Sequence, residues 1–140
     1  MKPYNLERFV TAQDPVIDDV RVELRNGRKE SHWMWFVFPQ YEGLGYSSMA
    51  SRYAISSSEE GAAYLQHPVL GARLRECTEL VNRVQGRSIE EIFGHPDYLK
   101  FRSSMTLFAE VAAGDEVFEK ALQKYFAGER DPRTILLLSP

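Results

Sequence analysis

An all-α fold is the class this sequence of 140 residues predicts, and three observations carry it. Helix punctuation runs from end to end, with Asp14-Pro15, His67-Pro68, His95-Pro96 and Asp131-Pro132 as starts and Gly27, Gly86, Gly114 and Gly128 as stops. Between them the apolar residues recur at helical spacing, as in Ile17, Val20 and Leu24, or Leu70, Leu74, Cys77 and Val81. No pair of alternating runs is joined by a tight-turn signal, so nothing in the chain asks for a sheet.

The elements follow in order. Asn5 is positioned to cap a short helix from Leu6 to Gln13, with Leu6, Phe9 and Val10 on its buried side. Asp14 and Pro15 then read as cap and first position of a helix that carries Asp18 and Asp19 early, Arg21 and Arg25 late, and stops at Gly27. Ser31 is placed to cap a short helix through "SHWMWF", apolar on every side and ended by Pro39. Ser58 opens a segment to Gln66, and His67-Pro68 opens the longest stripe, which runs to Gln85 as the spine of the domain. Ser88 and Glu91 have capping-box spacing before a brief helix ended by Gly94. Three more follow: His95-Pro96 to Gly114, Asp115 with "EVFEKALQKYF", and Asp131-Pro132 with "RTILLL". The prediction is a compact bundle of about seven to nine helices, several of them short, in one domain spanning 1–140, since this length supports one sizeable core.

The totals narrow the function classes. Hydrophobic residues at 44% and charged residues at 26% are those of a folded globular chain. A net charge of -3 supplies no general basic field, so binding to nucleic acid through its phosphates is not expected. One cysteine, Cys77, cannot form an internal disulfide and reads as a packing thiol. "MKPYNLERFV" has no apolar signal core, and "WMWFVF" and "ILLL" fall well short of the roughly 20 residues that cross a bilayer. A cytoplasmic protein without membrane contact is the expectation.

Signature chemistry is missing: no phosphate loop ending in Gly-Lys, no G-x-G-x-x-G, no H-E-x-x-H, no C-x-x-C and no G-x-S-x-G. Three histidines and one cysteine supply a zinc site poorly, and two of those histidines precede helix-start prolines, so neither metal nor cofactor is implied. What remains is "GRKESHWMWFVFPQYEGLG". Its middle, Trp33 to Phe38, reads as core, whereas the polar start at Lys29 to His32 and the glycine-spaced exit at Gln40 to Gly45 are not needed for burial.

Those ends, with two later segments, give the candidate site. Lys29, Arg52, Lys100 and Arg102 are placed to hold an anion, with His32 as the candidate acid or base. Trp35, Tyr41 and Tyr46 supply flat faces, and Gln40 and Ser103 supply hydrogen bonds. The expected cleft lies around residues 29–53 and is approached by residues 100–104, which suits a phosphate-bearing or nucleotide-like small molecule, bound or chemically transformed. The alternatives are a non-enzymatic interaction module, such as a homodimer built on exposed aromatics, and a motif that serves folding alone.

The runs "GRKESHWMWFVFPQYEGLGYSSMASRYAI", "AYLQHPVLGARLREC", "IFGHPDYLKFRSSMTLF" and "FAGERDPRTILLL" closely resemble a bacterial family of unknown function, DUF1810. The resemblance spans nearly the whole chain and implies a mostly helical single domain with no assigned activity. Members are sometimes labelled calpastatin-like, but calpastatin-type inhibitors look like long, polar, disordered chains, unlike the capped amphipathic helices read here.

Overall fold

The structure, a computed structural model, describes residues 4–139 and contains ten helices among them. They are α1 (Glu7–Gln13), α2 (Ile17–Arg25), α3 (Met34–Val37), α4 (Ser48–Arg52), α5 (Ser58–Gln66), α6 (Leu70–Arg83), α7 (Ile89–Phe93), α8 (Asp97–Val111), α9 (Glu116–Phe126) and α10 (Pro132–Leu138). The all-α class holds. The helix beyond the expected set is α4, a single turn that Ser47 caps by accepting a hydrogen bond from the Ala50 N–H at 3.1 Å.

Two helices share the centre. α6 lies against α2, α5 and α9, as a spine should, while α8 packs on α5, α7, α9 and α10. From Phe101 to Ala109 every residue of α8 except Arg102 is buried, so this helix shows no solvated stripe over its middle. That is the signature of an element surrounded by others, and it explains the small Ser103, Ser104 and Thr106 within it. Ser103 and Thr106 return their hydroxyl protons to the helix, donating to the carbonyls of Leu99 at 3.1 Å and Arg102 at 2.8 Å.

One side of the core is aromatic. Phe93 of α7 stacks on Phe101 of α8 with centroids 4.8 Å apart, and Phe38 meets both rings edge-on at 5.8 and 5.1 Å. Trp33, fully buried, closes the group against Phe38 and Phe93. The expectation that Trp33 to Phe38 builds core is therefore met for Trp33, Met34, Phe36, Val37 and Phe38, and Trp35 alone of the six stays half-exposed. Cys77 is fully enclosed, and burial pushes its thiol up to about 12, which leaves no thiolate for chemistry near neutral pH.

Several caps are placed as their spacing indicates. Ser88 accepts from the Glu91 N–H while the Glu91 carboxylate accepts from the Ser88 N–H, the full capping box. Asp131 accepts from the Thr134 N–H at 2.9 Å with Pro132 in the first turn. His67 caps α6 with its ring, Nδ1 accepting from the Val69 and Leu70 N–H groups at 3.2 Å each. Other caps move. Asn5 gives way to Leu6, Ser58 to Ser57, and Asp14 closes α1 rather than opening α2, its carboxylate paired with Arg73 at 2.9 Å. Asp115 stands at the start of α9 but turns its carboxylate to Arg75.

Ser31 moves furthest from its expected role. α3 begins only at Met34, and the serine belongs instead to a hub around Glu23. This carboxylate, 7% exposed on the inner face of α2, accepts from the Glu30 N–H at 2.7 Å, the Ser31 N–H at 3.0 Å, the Ser31 hydroxyl and the Trp33 indole N–H at 2.9 Å. Burial alone would push the Glu23 carboxyl up, but these donors together outweigh it and hold the group below its ordinary value.

Two further hubs pin the neighbouring chain. Buried Gln13 donates to the Phe36 carbonyl at 2.6 Å and the Tyr64 hydroxyl at 3.0 Å, tying α1 to α3 and α5. Buried Glu60 accepts from the Ser56 N–H and hydroxyl at 2.7 and 2.8 Å and pairs with Arg8 at 3.2 Å. Arg8 in turn donates to the carbonyls of Arg52 and Ala54 at 2.8 Å each. The irregular chain between α2 and α5 therefore hangs from three polar side chains on flanking helices.

Candidate ligand-binding cleft

The exit of the aromatic run forms one wall of an open cleft. Residues 40–42 lie beside Ile55, whose N–H donates to the Gln40 carbonyl and whose carbonyl accepts from the Glu42 N–H, each at 2.9 Å. The chain between these fixed points loops outward and returns as α4. Both glycines expected to shape this loop do so by separate means. Gly43 adopts φ +97°, and a Cβ on Gly45 would lie 2.6 Å from that of Ala50, so the loop and α4 close up only without a side chain there.

The cleft, about 420 Å³, lies between this loop, Trp35 of α3, the first turns of α8 and the start of α10. Leu44, Ala50, Pro96 and Leu99 provide apolar lining. On it converge Trp35, Gln40, Tyr46, Lys100, Ser103, Asp131 and Arg133. The Lys100 ammonium lies 5.2 Å from the centroid of the Trp35 ring and 3.6 Å from the Asp97 carboxylate. Tyr46 stands at the rim, 88% exposed. Other surface clefts have similar volumes, about 400 to 430 Å³, but those beside α5 and α9 contain no aromatic ring. Chemistry rather than size singles this one out.

Five residues read from the sequence as binding groups thus meet in one cleft: Trp35, Gln40, Tyr46, Lys100 and Ser103. The rest line other surroundings. Lys29 is nearly buried, pairs with Asp97 at 2.9 Å and donates to the Ser31 carbonyl at 2.6 Å, so its charge serves to fasten α8 to the chain before α3. Arg102 donates to the carbonyls of Glu129 and Arg130 at 3.0 and 2.9 Å and holds the turn into α10. Arg52 rests over the Tyr53 ring at 5.5 Å, and Tyr41 packs on the core at the bridge to Ile55. His32 is exposed and is not among the residues lining the cleft.

Two charged lining residues are not among those the sequence points to. Asp131 and Arg133 stand in the "DPRT" start of α10, where the aspartate reads only as a cap. Asp131 does cap, but with one oxygen: Oδ2 accepts from the Thr134 N–H and hydroxyl, and among the described residues Oδ1 has no hydrogen-bond partner. Arg133 donates to the Gly43 carbonyl at 3.3 Å and so braces the loop across the cleft. No sequence signal brings residues 131–133 beside residues 40–47; the packing of α10 on α8 does.

Residues 3–138 match the model of a family described as "Protein of unknown function (DUF1810)". The chain belongs to this family. It is also similar to the conserved hypothetical protein Rv1873 from Mycobacterium tuberculosis, whose crystal structure shares 61% identity over 98% of each chain with a TM-score of 0.97. Among curated proteins nothing matches. Neither the family nor the mycobacterial structure is described with an activity, so for this DUF1810 chain the chemistry of the cleft carries the functional reading. Among the described residues no helix is long and apolar enough to cross a membrane, and no group of three or more His, Cys, Asp or Glu is placed to hold a metal ion.

Proposed function

We propose that the cleft binds a small molecule with a flat ring and an anionic group, phosphate-bearing or nucleotide-like in chemistry. The supporting observation is the pairing of Lys100 with Trp35, an ammonium beside an indole face, in a cleft that Arg133 and Tyr46 also line. A ring can stack on Trp35 or Tyr46 while its anionic substituent meets Lys100 or Arg133, and Leu44, Ala50, Pro96 and Leu99 add apolar contact. The proposal is for binding. His32 stands away from the cleft lining, so no acid–base step is assigned to it.

A thermal-shift screen over nucleotides and sugar phosphates, followed by Trp35 fluorescence, tests this. A true ligand at a hundred times its Kd adds about 2.7 kcal/mol of stability and raises Tm by roughly 6 to 10 °C. Lys100→Ala is expected to weaken binding of any hit about tenfold or more while moving Tm of the free protein little, because the ammonium's contacts with Asp97 and the Trp35 ring are both partly exposed. A flat screen, or a hit indifferent to Lys100→Ala, removes the reading.

A homodimer is the second reading, and the apolar residues around this end of the molecule favour it: Leu136 is 74% exposed and Leu99 and Leu137 40% each. Light scattering at a constant 16.1 kDa over a concentration series would eliminate it.

A further inference from the structure

We infer that the cleft is matched to a ligand with a single negative charge and discriminates against polyanions. The inference rests on the small-molecule reading above and adds the charge class of the ligand. The ionic side chains that line the cleft are Lys100, Arg133 and Asp131, which leaves one net positive charge. Behind them Asp97 bridges Lys29 at 2.9 Å and Lys100 at 3.6 Å, a pair of opposite charges that adds nothing to the sum.

Both lining cations are also partly engaged, Lys100 by Asp97 and the Trp35 ring, Arg133 by the Gly43 carbonyl. One anionic group is matched by the single net positive charge that they leave with Asp131. A second or third would meet no further lining cation and would face the Asp131 carboxylate across the cleft. That carboxylate has a different use. Its Oδ1 and the Gln40 side chain have no hydrogen-bond partners among the described residues, so they are placed to accept from the N–H or O–H groups of a heteroaromatic or sugar moiety. A volume of about 420 Å³ is toward the small end for ligand pockets and suits one ring system with one anionic substituent.

Calorimetry with matched probes tests the charge class directly. The probes are nucleoside 3′,5′-cyclic monophosphates, with one charge, and the 5′-monophosphates of the same nucleosides, which carry about -1.5 to -2 at pH 7. The expected result is that at least one cyclic probe binds the wild-type protein several-fold tighter than its 5′-monophosphate. Asp131→Asn removes the lining carboxylate while asparagine still caps α10, and it is expected to move that ratio about fivefold toward the 5′-monophosphate. A wild-type preference for the 5′-monophosphate, or a ratio unmoved by Asp131→Asn, overturns the inference and leaves the binding reading standing. If none of the probes binds, the binding reading falls and this inference with it. Should Asp131→Asn lose its fold, seen as loss of the cooperative thermal transition, the wild-type ratio alone decides.

Discussion

Glu23→Ala is expected to cost about 3 to 5 kcal/mol of stability, a large share of the 5 to 15 kcal/mol typical of a domain. The substitution leaves two backbone N–H groups, a serine hydroxyl and an indole N–H without their acceptor, the indole fully buried and the other three partly so. Each buried donor left unpaired costs about 1 to 3 kcal/mol, and local rearrangement that admits water recovers part of the sum. Glu23→Gln keeps the shape but puts an NH₂ group where one carboxylate oxygen accepted, so it should fall between alanine and wild type. Chemical denaturation measures both, and a loss below about 1 kcal/mol for the alanine variant would show that the hub does not hold the chain.

The same carboxylate gives a pH dependence with a defined sign. Its folded-state value lies below the ordinary 4.5, so its contribution is fully present above that pH and is lost as pH falls through the lower folded-state value. Glu91 and Glu119 are also lowered, by the Ser88 cap and by Arg130 respectively, and add to the acid slope. The informative quantity is therefore the difference between wild type and Glu23→Gln. Their stabilities should converge as the pH drops below about 4.5, and parallel curves would contradict the assignment.

Gly71→Ala is the second large effect, and here two physical terms compete. Alanine is the better helix former by about 1 kcal/mol in a helix interior, and less in the first turn where Gly71 stands. Against this, a Cβ at Gly71 would lie 2.0 Å from the Leu65 carbonyl oxygen, a backbone atom that no rotamer change can move aside. The end of α5 and the start of α6 must separate, and overpacking of that kind costs more than the helix gains; the net loss should be about 2 to 4 kcal/mol. Gly114→Ala is the control. Its new methyl meets nothing within 4 Å and its φ is not positive, so its effect should stay within about 0.5 kcal/mol. Equal stability of the two variants in urea would sink the close α5–α6 approach.

The elements legible in the sequence are those whose partners are local. The capping box of Ser88 and Glu91, the Asp131 cap and the apolar stripe of α6 each lie within a few residues of what they bind or bury. Ser31 misleads because its partner lies on another helix: a buried carboxylate outcompetes the helix it was placed to cap. The stripe did hold a sign of Glu23, since an acid three residues after Val20 and beside Leu24 falls on the inner face of α2.

The cleft divides along the same line. Trp35, Gln40 and Tyr46 belong to one short loop and its preceding helix, so their neighbourhood follows from their spacing, and α8 brings Lys100 and Ser103 to them. Lys29 and Arg102 carry the same charge as Lys100 but are drawn to Asp97 and to the carbonyls of the turn before α10. Which of several cations is spent on the fold and which faces a cleft depends on acceptors far along the chain.

The polar core beneath the aromatic run bears on how sequences of this family should be compared. Glu23, Ser31 and Trp33 satisfy one another, so a relative that loses the serine or the indole leaves the glutamate short of donors, and positions 23, 31 and 33 should drift together rather than singly. In this chain Ser31 and Trp33 of the "SHW" run thus serve the architecture rather than the cleft. Positions 46, 131 and 133, which line the cleft, make no contact with that hub and are free to change independently of it.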